Sequence, residues 1–380
     1  MSHGRFTEDG REMKRATSIC TIVIVTLLLL ASAKATAQPA STNQPSSLVT
    51  LTRIPPLQIV NSVLFSPDGK SIATLRGEDT SWNSGGKPLR LEIWSAPKGT
   101  LLWTAKERAF SMLAYSPDST RLAGIAEESG PVIWDAANGK VKARFRPNTV
   151  PFSIAAFLPD GRTLVTAASW PTTTSLPDAG EIQLWKAKTG HFIGTLKAQT
   201  NAGSALAISP DGRTLAVANQ ANGVANKVVL MDITTDSLRY SLELGTNVFM
   251  IPSLTFSPDG KTLAASCGTQ DGKGEVRLWD VASGQLKRTI TDADVGAGSI
   301  WWESFVAFFP DGEMLAIMGE NHRIDLWSVT DNKWRGSFGY SDPPDPGRCV
   351  IQFVPEGLLL ASVNRFQQVE VKLWNYKGKR

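Results

Sequence analysis

The amino-acid sequence predicts an all-β protein built from seven copies of one four-stranded antiparallel unit. Three recurrences in its 380 residues predict it. The first is a turn: Phe65-Ser66-Pro67-Asp68-Gly69 returns as Tyr115-Ser116-Pro117-Asp118-Ser119, Phe157-Leu158-Pro159-Asp160-Gly161 and Ile208-Ser209-Pro210-Asp211-Gly212. It returns again as Phe256-Ser257-Pro258-Asp259-Gly260, Phe308-Phe309-Pro310-Asp311-Gly312 and Phe353-Val354-Pro355-Glu356-Gly357. Neighbouring copies stand between 42 residues (Pro117 to Pro159) and 52 residues (Pro258 to Pro310) apart. Proline presets one turn position and glycine accepts a positive φ, so each copy is expected to join two strands as a hairpin. The second recurrence is a strand end: Ile93-Trp94, Ile133-Trp134, Leu184-Trp185, Leu230-Met231, Leu278-Trp279, Leu326-Trp327 and Leu373-Trp374. Alternation precedes it, as in Glu275-Val276-Arg277-Leu278-Trp279. Five residues later stands Gly99, Gly139, Gly190, Asp236, Gly284 or Asn332. Those residue types tolerate left-handed backbone, which puts a second tight turn in six of the seven copies.

Ahead of the repeats, Lys14 and Arg15 precede an apolar run, Ile19–Leu30, and small residues follow as Ala31-Ser32-Ala33 and Ala35-Thr36-Ala37. A positive flank, a short apolar stretch and a small-x-small ending read as a secretory signal over residues 1–37, cleaved after Ala37. The rival reading is a retained membrane anchor; a bilayer span needs about 20 apolar residues and this run is shorter. Residues 38–47 hold no charge and no bulky apolar side chain and read as a flexible tether. The repeat body is then 48–380, expected in the periplasm or outside the cell. Its seventh unit reaches Trp374 with too few residues left for a fourth strand, whereas Leu48–Ile54 has strand composition and no other role. That segment is expected to supply the missing outer strand and so remove an exposed edge.

These residues resemble the WD-repeat family, over about Leu48–Arg380. The resemblance implies a seven-bladed β-propeller of four-stranded antiparallel blades, closed by the N-terminal strand, and a role in binding. The chain departs from the family pattern in two ways. No unit carries the Gly-His pair before its first strand. The Asp expected six residues before the repeat Trp is replaced by Pro88, Glu128, Ala179, Ala225, Lys273, Asn321 or Gln368. Such loose repeats resemble those of bacterial members, and the family's His–Asp hydrogen-bond network is absent.

Composition narrows the function classes. Charged residues make up 19%, below the usual quarter or so, which argues against a coiled coil or a charged tail protein. The net charge of +4 falls to 34 − 32 = +2 once residues 1–37, with five Lys/Arg and three acids, are set aside. No dense basic stripe remains, so nucleic acid is not an expected partner. Cys267 and Cys349 fall in different units and read as separate thiols, not a disulfide framework. No G-x-S-x-G, phosphate loop, C-x-x-C or H-E-x-x-H pattern occurs, and neither a cofactor nor a metal is expected. Asp292-Ala293-Asp294-Val295-Gly296 lacks the third oxygen ligand and distal Glu of a calcium loop and reads as an ordinary loop. The repeated turn acids and the repeat Trp residues read as structural, the acids capping turns and the rings packing between units.

The links between strands are more informative. From turn Pro to repeat Trp or Met the units count 27, 17, 26, 21, 21, 17 and 19 residues, so Arg76–Pro88 and Ser169–Gly180 are insertions. A third long link contains Asp292–Glu303. In a propeller these links share one face, and insertions clustered on one face usually mark where a repeat protein binds. Trp82, Trp170, Trp301 and Trp302 lie in them, outside the repeat frame. The rings either cap their own loops or meet a partner, for which Trp is a favoured hot-spot residue. Arg76, Glu78, Asp79, His322 and Arg323 would supply the polar rim of such a face. The expected function is a non-catalytic, monomeric scaffold holding a protein partner. The alternative is an enzyme or small-ligand binder at the mouth of the central channel, near Glu127, Glu128, Asp271 and His322.

Overall fold

In the computed structural model the described residues are 48–54, 59–77, 89–126, 130–145, 154–167, 182–196, 202–221, 224–295, 300, 304–319, 323–338, 349–354, 357–363 and 369–374. The chain is all-β, and a single four-residue helix accompanies the strands among these residues. After β1 (Leu48–Ile54), the first unit holds β2 (Ile59–Phe65), β3 (Ser71–Gly77), β4 (Leu89–Ser95) and the start of β5 (Leu101–Tyr115). The second continues through β6 (Arg121–Ala126), β7 (Gly130–Asp135) and β8 (Val141–Arg144). The third holds β9 (Ile154–Phe157), β10 (Thr163–Ala167), β11 (Ile182–Lys186) and β12 (Phe192–Leu196). The fourth holds β13 (Ala202–Ile208), β14 (Thr214–Ala221), β15 (Val224–Asp232) and β16 (Ser237–Glu243). The fifth holds β17 (Val248–Phe256), β18 (Thr262–Thr269), β19 (Gly274–Asp280) and β20 (Leu286–Ile290), followed by α1 (Asp292–Val295). The last two units comprise β21 (Phe305–Phe308), β22 (Met314–Met318), β23 (Ile324–Ser328) and β24 (Lys333–Phe338), then β25 (Cys349–Val354), β26 (Gly357–Val363) and β27 (Val369–Trp374).

Among the described residues five sheets have four strands and one has seven. The seven-stranded sheet arises because β5 pairs with β4 through Leu101–Ala109 and with β6 through Ala109–Tyr115, ending one unit and beginning the next. β1 pairs antiparallel with β27, from Leu48 opposite Trp374 to Ile54 opposite Val369, and is the outer strand of the sheet β1-β27-β26-β25. The N-terminal strand therefore takes the place expected of it in the last unit. First strands touch in succession: β2 meets β5, β5 meets β9, β9 meets β13 and β13 meets β17. β17 then meets β21, β21 meets β25, and β25 meets β2.

The core lies between consecutive sheets. Trp134 is fully buried among Leu75, Leu91 and Ile93 of the unit before it. Trp185 packs on Ala123 and Ile133, Met231 on Val165 and Ile182, Trp279 on Val228 and Leu230, and Trp327 on Leu278. In units two to six the repeat Trp or Met thus fills the gap toward the preceding unit, as the sequence predicted. The side chain of Trp374 lies outside the described residues.

Hydrogen bonds explain why the turns repeat. Ser66 Oγ donates to Asp68 Oδ1 at 2.6 Å and accepts from Ser71 N at 2.9 Å, while Lys70 N donates to the same carboxylate at 3.1 Å. The arrangement recurs at Ser116–Asp118, Ser209–Asp211 and Ser257–Asp259. Where Leu158 replaces the serine, Asp160 Oδ1 takes Arg162 N and Thr163 N instead, at 2.8 and 3.3 Å. Burial works to raise the carboxyls of Asp118, Asp211 and Asp259, yet the serine hydroxyls and backbone N–H groups hold all three below the usual carboxylate range. At the second turn all six residues singled out have positive φ, between 50° at Asp236 and 72° at Gly139 and Gly190.

Candidate functional site

The candidate face is the end of the sheets opposite these turns, where β3 leads to β4, β10 to β11, and β20 to β21. In the first unit β3 continues through Gly77, so Arg76 is a strand residue and not the start of the insertion. Antiparallel register sets Arg76 opposite Arg90, Thr74 opposite Glu92 and Ile72 opposite Trp94. Alternation then puts Arg76, Thr74, Glu92 and Trp94 on one face of the sheet. Arg76 is 2% exposed; its Nη1 donates to Glu92 Oε2 at 3.2 Å and its guanidinium lies 5.6 Å from the Trp94 ring centroid. Trp94 Nε1 donates to Thr74 Oγ1 at 3.1 Å. The expectation that Arg76 is a rim group is corrected: it is a buried strut at the root of the long link.

The third unit repeats part of this. Gln183 holds the place of Glu92, two residues before the repeat Trp, and is buried, while Trp185 Nε1 donates to Thr166 Oγ1 at 2.8 Å. The long link after β20 opens with α1. Asp294 takes Arg288 Nη2 on one oxygen and Thr291 N on the other, the latter at 2.9 Å, and Asp292 Oδ1 accepts from Ile300 N at 2.7 Å. Val295 and Ile300 are buried against the cluster that contains Trp327. Both carboxylates are thus engaged by the chain itself, and the segment read as a loop begins with a helical turn. Arg323 fastens the link to the sixth unit, its Nη2 reaching Val295 O at 3.1 Å and Asp325 Oδ1 at 3.0 Å. Asp325, itself fully buried, also accepts from Trp334 Nε1 at 3.0 Å.

Trp82, Trp170, Trp301, Trp302, Glu78, Asp79 and His322 lie outside the described residues, as do Glu127 and Glu128 of the channel alternative. Asp271 sits in the turn between β18 and β19 and is exposed. It accepts from Thr269 Oγ1 at 2.6 Å and faces Lys273 Nζ at 3.5 Å. The Thr269 hydrogen bond holds its carboxyl below the usual range. Cys267 is buried in β18, and burial pushes its thiol up to about 12, away from thiolate chemistry. Among the described residues no group of three His, Cys, Asp or Glu is placed to hold a metal ion, and no helix is long and apolar enough to cross a membrane.

Glu92, Gln183 and Asp325 are the residues the sequence reading passed over. A signal existed: each stands two residues before a repeat Trp, on the buried face, where two other units have Val132 and Val229. Residues 244–280 match the family model of the WD domain, G-beta repeat. The match spans β17 to β19 and ends on Trp279-Asp280; with the four-stranded antiparallel sheets it supports a WD-repeat propeller. WD repeats generally serve as protein-interaction scaffolds and are typically non-catalytic. No curated protein matches the chain.

Proposed function

We propose that the chain is a non-catalytic scaffold that binds a protein partner through the link-bearing face of a seven-bladed propeller, and that it works outside the cytoplasm. The observation that carries this reading is the division of labour along each sheet. The turn acids and repeat Trp or Met residues that the structure describes are committed to a turn or a core, which leaves the long links to carry recognition. The run of first-strand contacts that returns from β25 to β2, and the seat of β1 beside β27, support a closed ring of seven blades. The basic flank, apolar run and small residues of positions 1–37 support export. Trp82, Trp170, Trp301, Trp302, Glu78, Asp79, His322 and Arg323 are the proposed contact groups.

The test is affinity isolation of the tagged chain from its native envelope fraction beside a Trp82/Trp170/Trp301/Trp302→Ala variant with the same melting temperature. A stoichiometric protein held by the wild type and lost from the variant is expected. A partner held equally by both would move the binding site off this face, and the absence of any protein partner would sink the scaffold reading.

A further inference from the structure

The outer strands of the first three units differ in charge from those of the next three. From the end of the third strand through the fourth, residues 95–106 carry Lys98 and Lys106, and residues 135–144 carry Lys140, Lys142 and Arg144 against Asp135. Residues 186–196 add Lys186 and Lys188. The sum is 7 − 1 = +6, and all seven cations are exposed. The corresponding segments of the next three units, 232–243, 280–290 and 328–338, hold five cations and five acids, a sum of 5 − 5 = 0. Acids there face the cations directly: Arg239 with Asp232 at 2.5 Å, Lys287 with Asp280 at 3.5 Å, and Arg335 with Asp331. On the basic arc, Lys142 meets Asp135 at 3.0 Å.

The three basic segments are continuous in space. A Cβ on Gly139 would stand 2.6 Å from the Trp103 ring of β5, and one on Gly190 would stand 2.4 Å from the Arg144 carbonyl of β8. Each outer strand therefore rests on the second turn of the next unit. Exposed apolar side chains stand on both arcs, Leu101, Leu102, Phe192 and Ile193 at 47–52% on the basic one and Leu238, Leu286 and Trp334 on the other, so it is the added charge that sets the basic arc apart. Basic residues are drawn to an anionic leaflet, and exposed apolar side chains that meet no protein are satisfied at its headgroup boundary. Six of the seven cations are lysine, which protein interfaces disfavour, so a protein partner fits the arc less well.

We propose that this rim docks on an anionic lipid bilayer. The contact is separate from the link-bearing face and does not depend on it. The full chain is sedimented with phosphatidylcholine vesicles made with or without phosphatidylglycerol. Binding is expected only with phosphatidylglycerol, and it should fall at least about tenfold in a Lys140/Lys142/Arg144/Lys186/Lys188→Gln variant and in high salt. An Arg239/Lys287/Lys333/Arg335→Gln variant should bind as the wild type does. If the five-site variant melts lower than the wild type, Lys186→Gln/Lys188→Gln takes its place with a smaller expected loss. Phe192→Ser/Ile193→Ser should weaken binding with the charge intact. Equal binding to both vesicles would assign it to the apolar run near the N-terminus and overturn the proposal. Unchanged binding by the charge variants, or capture on immobilised polyglutamate with none on vesicles, would overturn it equally.

Discussion

The two ends of each sheet are made from the same strands yet follow different rules. At the end bearing the Pro-Asp turns, one solution recurs: a serine hydroxyl and backbone N–H groups on one carboxylate, and a glycine resting on the proline of the preceding turn. A Cβ on Gly212 or Gly312 would lie 3.4 Å from Pro159 or Pro258. At the other end the position two residues before the repeat Trp or Met is Glu92, Val132, Gln183, Val229, Arg277 or Asp325, and the three charged ones are held differently. Glu92 binds Arg76, Arg277 reaches Leu244 O at 2.9 Å, and Asp325 takes Arg323 and Trp334. Repetition therefore marks what holds neighbouring sheets together, and departure from it marks where units have been individually fitted beneath different links.

The largest effect should come from removing β1, which lies outside the repeats yet completes one of their sheets. Deleting Leu48–Ile54 strips the partner from β27 and exposes its edge. Aggregation is expected, or a melting temperature lower by more than about 10 °C, since several kcal/mol are at stake at about 2–4 °C each. An unchanged cooperative melt would detach β1 from the frame. Trp279→Ala should cost about 3–5 kcal/mol, read from the denaturant midpoint, because it empties the gap between the fourth and fifth units. A loss under about 1 kcal/mol would break the packing role of the repeat ring.

Glu92→Ala sharpens the contrast from the other end. It leaves the Arg76 guanidinium buried without its carboxylate and should cost about 3–5 kcal/mol. Replacing both, Arg76→Met with Glu92→Leu, should recover most of that loss. If the double variant is as unstable as the single one, the pair is not the strut described.

Much of the frame was legible in the sequence because turn chemistry is local: Pro, Asp and a left-handed residue announce themselves within five positions. The strand lent by Leu48–Ile54 was legible from its strand composition ahead of the first unit. Arg76 was misread because an insertion has no mark for where its strand ends, and β3 runs two residues further than the arithmetic implied. The basic arc was invisible for another reason. Its cations lie in three segments, one in each of three consecutive units and each unremarkable by itself, and they meet only when β5, β8 and β12 stand side by side.

Gly139→Ala against Gly245→Ala separates a close approach from mere backbone strain. Both positions are left-handed, with φ of +72° and +77°, so each variant should lose about 1–2 kcal/mol from conformation. Nothing lies within 4 Å of a Cβ at Gly245, whereas at Gly139 the Trp103 ring is fixed by its Nε1 bond to Ala136 O at 2.8 Å. Gly139→Ala should therefore cost about 1–3 kcal/mol more. Equal losses would mean that the ring swings aside and the contact between units is loose.

The smallest effect is a pH dependence that belongs to the repeating end. The carboxyls of Asp118, Asp211 and Asp259 lie below their unfolded value of about 3.9 because the serine and backbone donors prefer the charged form. A depressed folded value means that the unfolded chain binds more protons as the pH drops. The stabilisation is accordingly complete above about pH 5 and is lost as the pH falls through the lowered folded values. An Asp118/Asp211/Asp259→Asn variant should melt lower at neutral pH and lose less on going from pH 5 to pH 3, so that its curve converges on that of the wild type. All three residues are largely solvent-facing, which keeps the change small. Parallel curves would show that the turn acids act through geometry alone, and would remove the charge from the account of why this end repeats.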